Sequence, residues 1–433
     1  MSVIAFEIRD FSAVYDSIMQ FNKNKSVSIH QWYPFVEGYS KEFIESILQE
    51  IDYTPNLVLE PFSGSGTTAL ELQHKNIECI SFEVSPFMHL LSSVKLYKGY
   101  ESKKLISIIS SFKENLTKSP KNIRKHQDIP FGKTVVKGEN SKKWNFNDEA
   151  LNGILDIKFA IKKIKDVSYE NLFKIVLGSI LLEVSNLFRN GKCLSYKKDW
   201  EKRPILSRVN VHKIFVDKLE NIILRDIINL EKDNNRETLS NYPNLHFGDV
   251  RSSIKNVPDN SIDLIITSPP YLNSRDYTDI YMLELKVLDL IKNYQELIQL
   301  RRNTLRSHVQ VKHGTLETLK APTLEAYIDK VSTKTTGLWN SDLLNMIRGY
   351  FLDMQEMFIQ FKRVMQPEKF IYFNVANSAY FGEEIVVDQI ISEIAVKLGF
   401  RLIEIRKARN LKASSQQSDT IKHLRESVII FQS

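Results

Sequence analysis

The stretch Asn56-Leu57-Val58-Leu59-Glu60-Pro61-Phe62-Ser63-Gly64-Ser65-Gly66-Thr67-Thr68 decides how this 433-residue chain is read. Its first half is a compact valine and leucine run closed off by proline and glycines, which reads as a short buried strand. From Thr67 to Lys75 it opens with hydroxyl residues that suit a helix start and continues as a helix. Working outward, Lys41 to Ile51 has helical apolar spacing, Ile77 to Glu83 reads as a second strand, and Pro86 to Leu96 as a second helix. Strand, helix, strand, helix at this spacing predicts a parallel βαβ unit.

The alternation then lapses. From Lys98 to Tyr242 the sequence is lysine-rich and then helical, with apolar residues at three- and four-residue spacing over 148–165, 169–188 and 211–231. Alternation resumes at Leu245-His246-Phe247. Ile262–Thr267 and Phe370–Val375 read as buried strands, 383–398 as a helix, and 401–406 and 427–431 as closing strands. A second irregular stretch covers about 295–340. The economical architecture is α/β: one doubly wound sheet split into 1–97 and 244–433, with a basic, largely helical insertion at 98–243.

Composition sets the limits. A hydrophobic fraction of 42% and a charged fraction of 26% are those of a globular chain. No run of eighteen apolar residues suggests a membrane span, and the N-terminus lacks an apolar signal core. Two cysteines make neither a disulfide framework nor a zinc site, so a reducing cytoplasm is the expected location. The net charge of +7 is unevenly spread. Residues 98–144 carry twelve Lys/Arg against four Asp/Glu, and Arg189–Lys213 interleaves eight Lys/Arg with Tyr196 and Trp200. Such clusters attract polyanions, although a charge run alone is also what a solvated helix face looks like.

Glycines at 64 and 66 let backbone approach a ligand, and the helix start supplies free N–H groups. A nucleoside triphosphate loop needs Gly-Lys-Ser/Thr, and threonine follows Gly66, so no lysine is in place to hold phosphates and the sequence speaks against that ligand. A dinucleotide loop tolerates Ala69 at its third glycine position and stays open, as does a plain turn. Three acids narrow the choice. Glu83 ends the second strand, where a carboxylate can accept ribose hydroxyls; Asp249 follows the third strand, where it can meet an adenine amine; Glu60 ends the first, facing where a cationic amino group could sit. The ligand these three imply is S-adenosylmethionine.

Thr267-Ser268-Pro269-Pro270-Tyr271 follows the fourth strand. Paired prolines end the strand and leave carbonyl acceptors on a rigid path. Ser268 and a proline carbonyl can accept both hydrogens of an exocyclic NH2 while Tyr271 stacks on the base, turning the amine lone pair towards a methyl donor. Methylation at a pyrimidine carbon would instead need a cysteine nucleophile. Cys79 lies inside a strand and Cys193 in a basic loop, so a nitrogen target is the expectation.

With these residues in place the chain resembles the amino-methyltransferase family of site-specific DNA methylases, over about 30–97 and 244–433, and within it the SPPY group. His30-Gln31-Trp32-Tyr33-Pro34-Phe35 looks like the family's element at the methionine end of the cofactor. The run Pro61, Phe62, Ser63, Gly64, Ser65, Gly66, Thr67, Thr68 looks like its cofactor loop, with Glu60 where an aspartate is usual. Glu83 and Asp249 match its ribose and adenine contacts. Ser268–Tyr277, Phe373–Asn377 and Leu424–Ser427 look like the later motifs of the same group. The resemblance implies a Rossmann-like methyltransferase sheet, methylation of cytosine N4 in a specific sequence of duplex DNA on a flipped base, and a cognate restriction endonuclease as partner. Adenine N6, an RNA base, and a non-catalytic DNA-binding specificity subunit are the alternatives. Target recognition is expected from 98–243 and from the second insertion, with Arg189, Lys192, Tyr196, Lys197, Lys198, Arg301, Arg302 and Arg306 as candidate DNA contacts.

Overall fold

The computed structural model describes residues 6–127, 129, 134–135, 142–190, 193–232, 244–273, 276–312, 319, 321–332, 342–413 and 420–433. Its main sheet has the strands β1 Ile8–Asp10, β2 Leu57–Glu60, β3 Glu78–Glu83, β4 Leu245–Phe247, β5 Ile262–Thr267, β6 Met365–Ala376, β7 Arg401–Lys412 and β8 His423–Gln432. They lie in the order β1-β7-β8-β6-β5-β2-β3-β4. The five strands from β6 to β4 are mutually parallel, and β8 runs antiparallel between β6 and β7. The chain runs outward from β2 to β3 and β4, then returns to β5 on the other side of β2. That reversal opens a crevice at the carboxyl ends of β2 and β5.

Alternating side chains feed two cores. Val58, Leu264 and Ile266 point to one face of the sheet; Leu59 and Ile265 point to the other, and all five are fully buried. A strand buried on both faces is mostly apolar, which is why IDLIIT is legible as central; its two polar residues are satisfied, Asp263 accepting from Asn56 N and Leu57 N and Thr267 donating to Glu60.

On the first face lie α1 Lys41–Glu50, α2 Thr67–His74 and α3 Pro86–Leu96. Ser85 caps α3 by accepting from Met88 N, and Pro86 occupies the first turn, where no N–H is needed. The long insertion contributes α4 Ser102–Thr117, α5 Asp148–Ile161, α6 Val167–Val184, α7 Arg208–Lys218 and α8 Arg225–Lys232, the last two joined by a wide π-helical stretch, Leu219–Leu224. These helices share the core of the first face. Gly178 of α6 lies against Phe87 of α3, where a Cβ would come within 3.2 Å of the ring. Asp226 of α8 accepts from Ile29 N, Gln31 Nε2 and Trp32 Nε1.

The helix α9 Tyr294–Asn303 adds Leu297 and Leu300 to the core of the first face, and the second face carries α10 Pro322–Ser332, α11 Leu343–Val364 and α12 Val387–Lys397. Two expectations change here. The stretch read as irregular, 295–340, contains most of α9 and all of α10. The helix expected over 383–398 starts only at Val387, because Glu383–Ile385 pairs with Ser378–Tyr380 across a turn at Gly382, whose φ is 73°.

Candidate active site

Both loops singled out in the sequence open into the crevice. Gly64 and Gly66 have φ of 52° and 76°, a region that disfavours side chains. The loop is pinned from three sides. Glu83 accepts from Gly64 N (2.7 Å) with one oxygen and Ser85 N (2.7 Å) with the other. Ser92 Oγ donates to the Gly64 carbonyl (2.9 Å), and Lys95 Nζ donates to the Ser65 carbonyl (2.5 Å). Burial pushes the Glu83 carboxyl up to about 7, against the backbone donors that favour its charge. The same cause pushes Lys95 down to about 7, with Glu71 opposing.

Glu60 corrects one expectation. Its carboxylate is 1% exposed and accepts from Tyr39 Oη, Thr68 Oγ1, Thr267 Oγ1 and Phe62 N, so it ties loop, helix and strand together instead of facing a ligand. Burial raises its carboxyl to about 7. Asp249 caps the turn after β4 and is held by the Arg251 guanidinium, which also reaches buried Asp353.

A cavity of about 1140 Å³ runs from this loop to the proline pair. Phe35, Pro61, Phe62, Gly64, Thr67, Thr68, Glu83 and Asp249 line one part; Ser268, Pro269, Pro270, Tyr271, Asn374 and Glu426 line another. The buried hydroxyls of Ser63 and Tyr281 lie on its wall without a hydrogen-bond partner among the described residues, as a wall meant for a polar ligand would leave them. Around the proline pair the side chains are chained together. Tyr271 Oη donates to Glu426 Oε1 (2.5 Å), and Asn374 Nδ2 donates to Tyr271 Oη (2.7 Å), Glu426 Oε1 (3.2 Å) and Ser268 Oγ (3.3 Å). Arg409 holds the other Glu426 oxygen. Burial and the Glu426 charge keep the Tyr271 phenol well above its ordinary range.

Other expected residues sit elsewhere. Trp32 and Tyr33 are 1% and 2% exposed and bond Asp226 and Glu284, so they support the cavity wall from behind; Pro34 is exposed. Gly66 packs against Ser92, where a Cβ would meet Oγ at 2.9 Å. Among the candidate DNA contacts, Arg189 is buried against Glu284 and lies over the Tyr281 ring; Arg301 pairs with Asp276 and Asp279, and Arg306 with Asp353. Lys197 donates to the carbonyls of Leu182, Glu183 and Ser185 at the end of α6. These four cations are spent inside the fold, which corrects their reading as free phosphate contacts. Tyr196 packs half-buried on Trp200, Lys198 and Arg302 are exposed, and Lys192, Ser274 and Arg275 lie outside the described residues. Cys79 is buried in β3 and Cys193 exposed on the insertion, and neither lines the cavity. Tyr39, Lys95 and Arg409 carried no sequence signal: each acts through a partner beyond the reach of any local pattern, 21, 30 and 17 residues away.

No protein-family model matches the chain. It is similar to curated proteins over nearly its whole length. The Type II methyltransferase M.BsoBI of Geobacillus stearothermophilus is 25% identical over 450 residues, covering 92% of this chain and 84% of that protein. The Type II methyltransferase M.AvaI of Anabaena variabilis is 25% identical, covering 92% and 85%, and the Type II methyltransferase M.MvaI of Kocuria varians 25%, covering 93% and 88%. Among solved structures, an rRNA methyltransferase, AviRa of Streptomyces viridochromogenes, aligns over 93% of this chain and 84% of its own at 9% identity, with a TM-score of 0.27. That superposition is too loose to carry an argument. The α/β doubly wound architecture rests instead on the strand order and pairing described above.

Proposed function

We propose that the chain is an S-adenosylmethionine-dependent DNA methyltransferase of a restriction–modification system, acting on the exocyclic N4 amine of cytosine. The observation that carries this reading is one cavity with the glycine loop at one part and Ser268-Pro269-Pro270-Tyr271 at another. The likeness to proteins named Type II methyltransferases, at one-quarter identity over nine-tenths of the chain, supports the same substrate class. Serine at position 268 favours cytosine over adenine, by the habit of the group the chain resembles.

The residues present suit the cofactor. Gly64 leaves room for close approach, Glu83 keeps lone pairs for ribose hydroxyls, and Asp249 lies on the cavity wall where it can meet the adenine amine. Phe35 and the partnerless Ser63 hydroxyl lie on the same wall. Bound there, S-adenosylmethionine supplies an electrophilic methyl group. The protein's part is positioning: Ser268 and a proline carbonyl accept the hydrogens of the amine, and the Tyr271 ring packs on the flipped base. Double-stranded DNA would reach the crevice past the basic insertion, and a cognate endonuclease would share the recognition sequence. Transfer of a labelled methyl group to duplex DNA tests the proposal. Wild-type protein should transfer it and Ser268→Ala should not, with cofactor binding retained; undiminished transfer by Ser268→Ala would contradict the assignment.

A further inference from the structure

A serine hydroxyl can donate or accept, so Ser268 serves as an acceptor for an amine only if something fixes where its own hydrogen points. The structure contains that device, on the far side of the proline pair. Glu426 of β8 is 1% exposed and sits directly across from Arg409 of β7 in the sheet register. With one oxygen held by the Arg409 guanidinium, its carboxylate is an acceptor only. The single hydrogen of Tyr271 must then point at Glu426 Oε1, 2.5 Å away, leaving the phenol oxygen to accept. Asn374 faces the same group with its NH2 side, towards Tyr271 Oη, Glu426 Oε1 and Ser268 Oγ. Its Oδ1 is buried with no partner among the described residues. An orphan acceptor is unfavourable, yet turning the amide over would aim Oδ1 at the carboxylate and at the phenol lone pairs, which is worse. The orphan atom is therefore evidence that the amide orientation is imposed from the Glu426 side. The nearby Tyr271 oxygen, its own hydrogen committed to Glu426, has a lone pair to spare and is the acceptor open to the Ser268 hydrogen. Receiving a hydrogen from Asn374 and giving its own to Tyr271, Ser268 keeps one lone pair, on the cavity side.

We propose that Glu426, held by Arg409, is a positioning residue that orders the hydrogen bonds of Tyr271, Asn374 and Ser268 so that Ser268 presents a lone pair to the target amine. This rests on the reading of the cavity as an amine methyltransferase site. Glu426→Gln keeps the shape but introduces an NH2 that can donate to Tyr271, so the order is lost. The test is single-turnover transfer of labelled methyl to duplex DNA, with cofactor affinity and melting temperature measured on each variant. Glu426→Gln should slow transfer about 30- to 100-fold, as a misaligned reacting group does, with cofactor affinity unchanged. In a Ser268→Asp background, whose carboxylate can only accept, the same change should cost less than a tenth of that loss. Tyr271→Phe should match Glu426→Gln, and the double variant should be no worse than either single one. This second cycle decides the matter if Ser268→Asp is itself silent, and Tyr271→Phe compared in the two Ser268 backgrounds decides it if Glu426→Gln does not fold as wild type does. Equal losses in both Ser268 backgrounds, additive losses with Tyr271→Phe, or an undiminished Glu426→Gln would overturn the inference while wild-type transfer leaves the methyltransferase reading standing. Wild-type protein that transfers no methyl group to a base amine would overturn both.

Discussion

Two carboxyls beside the glycine loop, Glu60 and Glu83, are buried enough to titrate near 7 against an ordinary 4.5. Because the folded state holds these protons more tightly than the unfolded chain, their contribution is fully present below 4.5 and is lost as pH rises through about 7. Ligand-free protein should therefore lose thermal stability across that window, and Glu60→Gln or Glu83→Gln should flatten the decline; a decline unchanged in both variants would contradict these shifts. Lys95 works in the opposite sense: its ammonium is pushed down to about 7 from 10.5, so the cost of burying its charge fades as pH rises through that interval. Its hydrogen bond to the Ser65 carbonyl fixes the loop from below. Lys95→Met should weaken cofactor binding about tenfold, the cost of losing a charge-assisted hydrogen bond of ~1.5 kcal/mol, readable by calorimetry.

At the scale of elements, the insertion is bolted to the catalytic core by buried charge. Arg189, on a short strand of the insertion, pairs with Glu284 beyond the catalytic loop, and Asp226 of α8 receives three donors from 29–32. Removing one partner strands the other, so Arg189→Ala should destabilise the fold by about 3–5 kcal/mol in urea unfolding. It should leave the salt dependence of DNA binding unchanged, whereas loss of an exposed phosphate contact, with Lys198 or Arg302 as candidates, should lower the slope of log K against log salt by about 1. Charge in the sequence predicted neither outcome, since an arginine in a basic run looks the same whether its partner is a phosphate or a glutamate 95 residues away. Strands and helices of the βαβ unit were legible to within a residue or two, because Val58, Leu59 and the glycines write both ends of each element. The second insertion was less so: α9 buries only Leu297 and Leu300, too sparse a stripe to declare a helix, and the hairpin at Gly382 is set by tertiary pairing.

For the whole molecule, one topological reversal explains why residues 61–65, 67–68, 83, 249 and 268–271 share a cavity: all lie at the carboxyl ends of adjacent parallel strands. The glycine loop and the proline pair were visible in the sequence because each is locally written in residues with a special backbone. The pairings behind them were not: Leu424–Ser427 stood out only by resemblance, with nothing to say that Glu426 meets Arg409 across the sheet and Tyr271 155 residues earlier, and no local pattern ties Tyr39 to Glu60. The central claim is methyl transfer to a base amine, and nucleoside analysis by mass spectrometry of duplex DNA treated with the protein and methyl-labelled S-adenosylmethionine tests it most directly. The account predicts label in N4-methylcytosine, absent with Ser268→Ala; label in N6-methyladenine would contradict the base assignment, and label in 5-methylcytosine or in no nucleoside would contradict the chemistry itself.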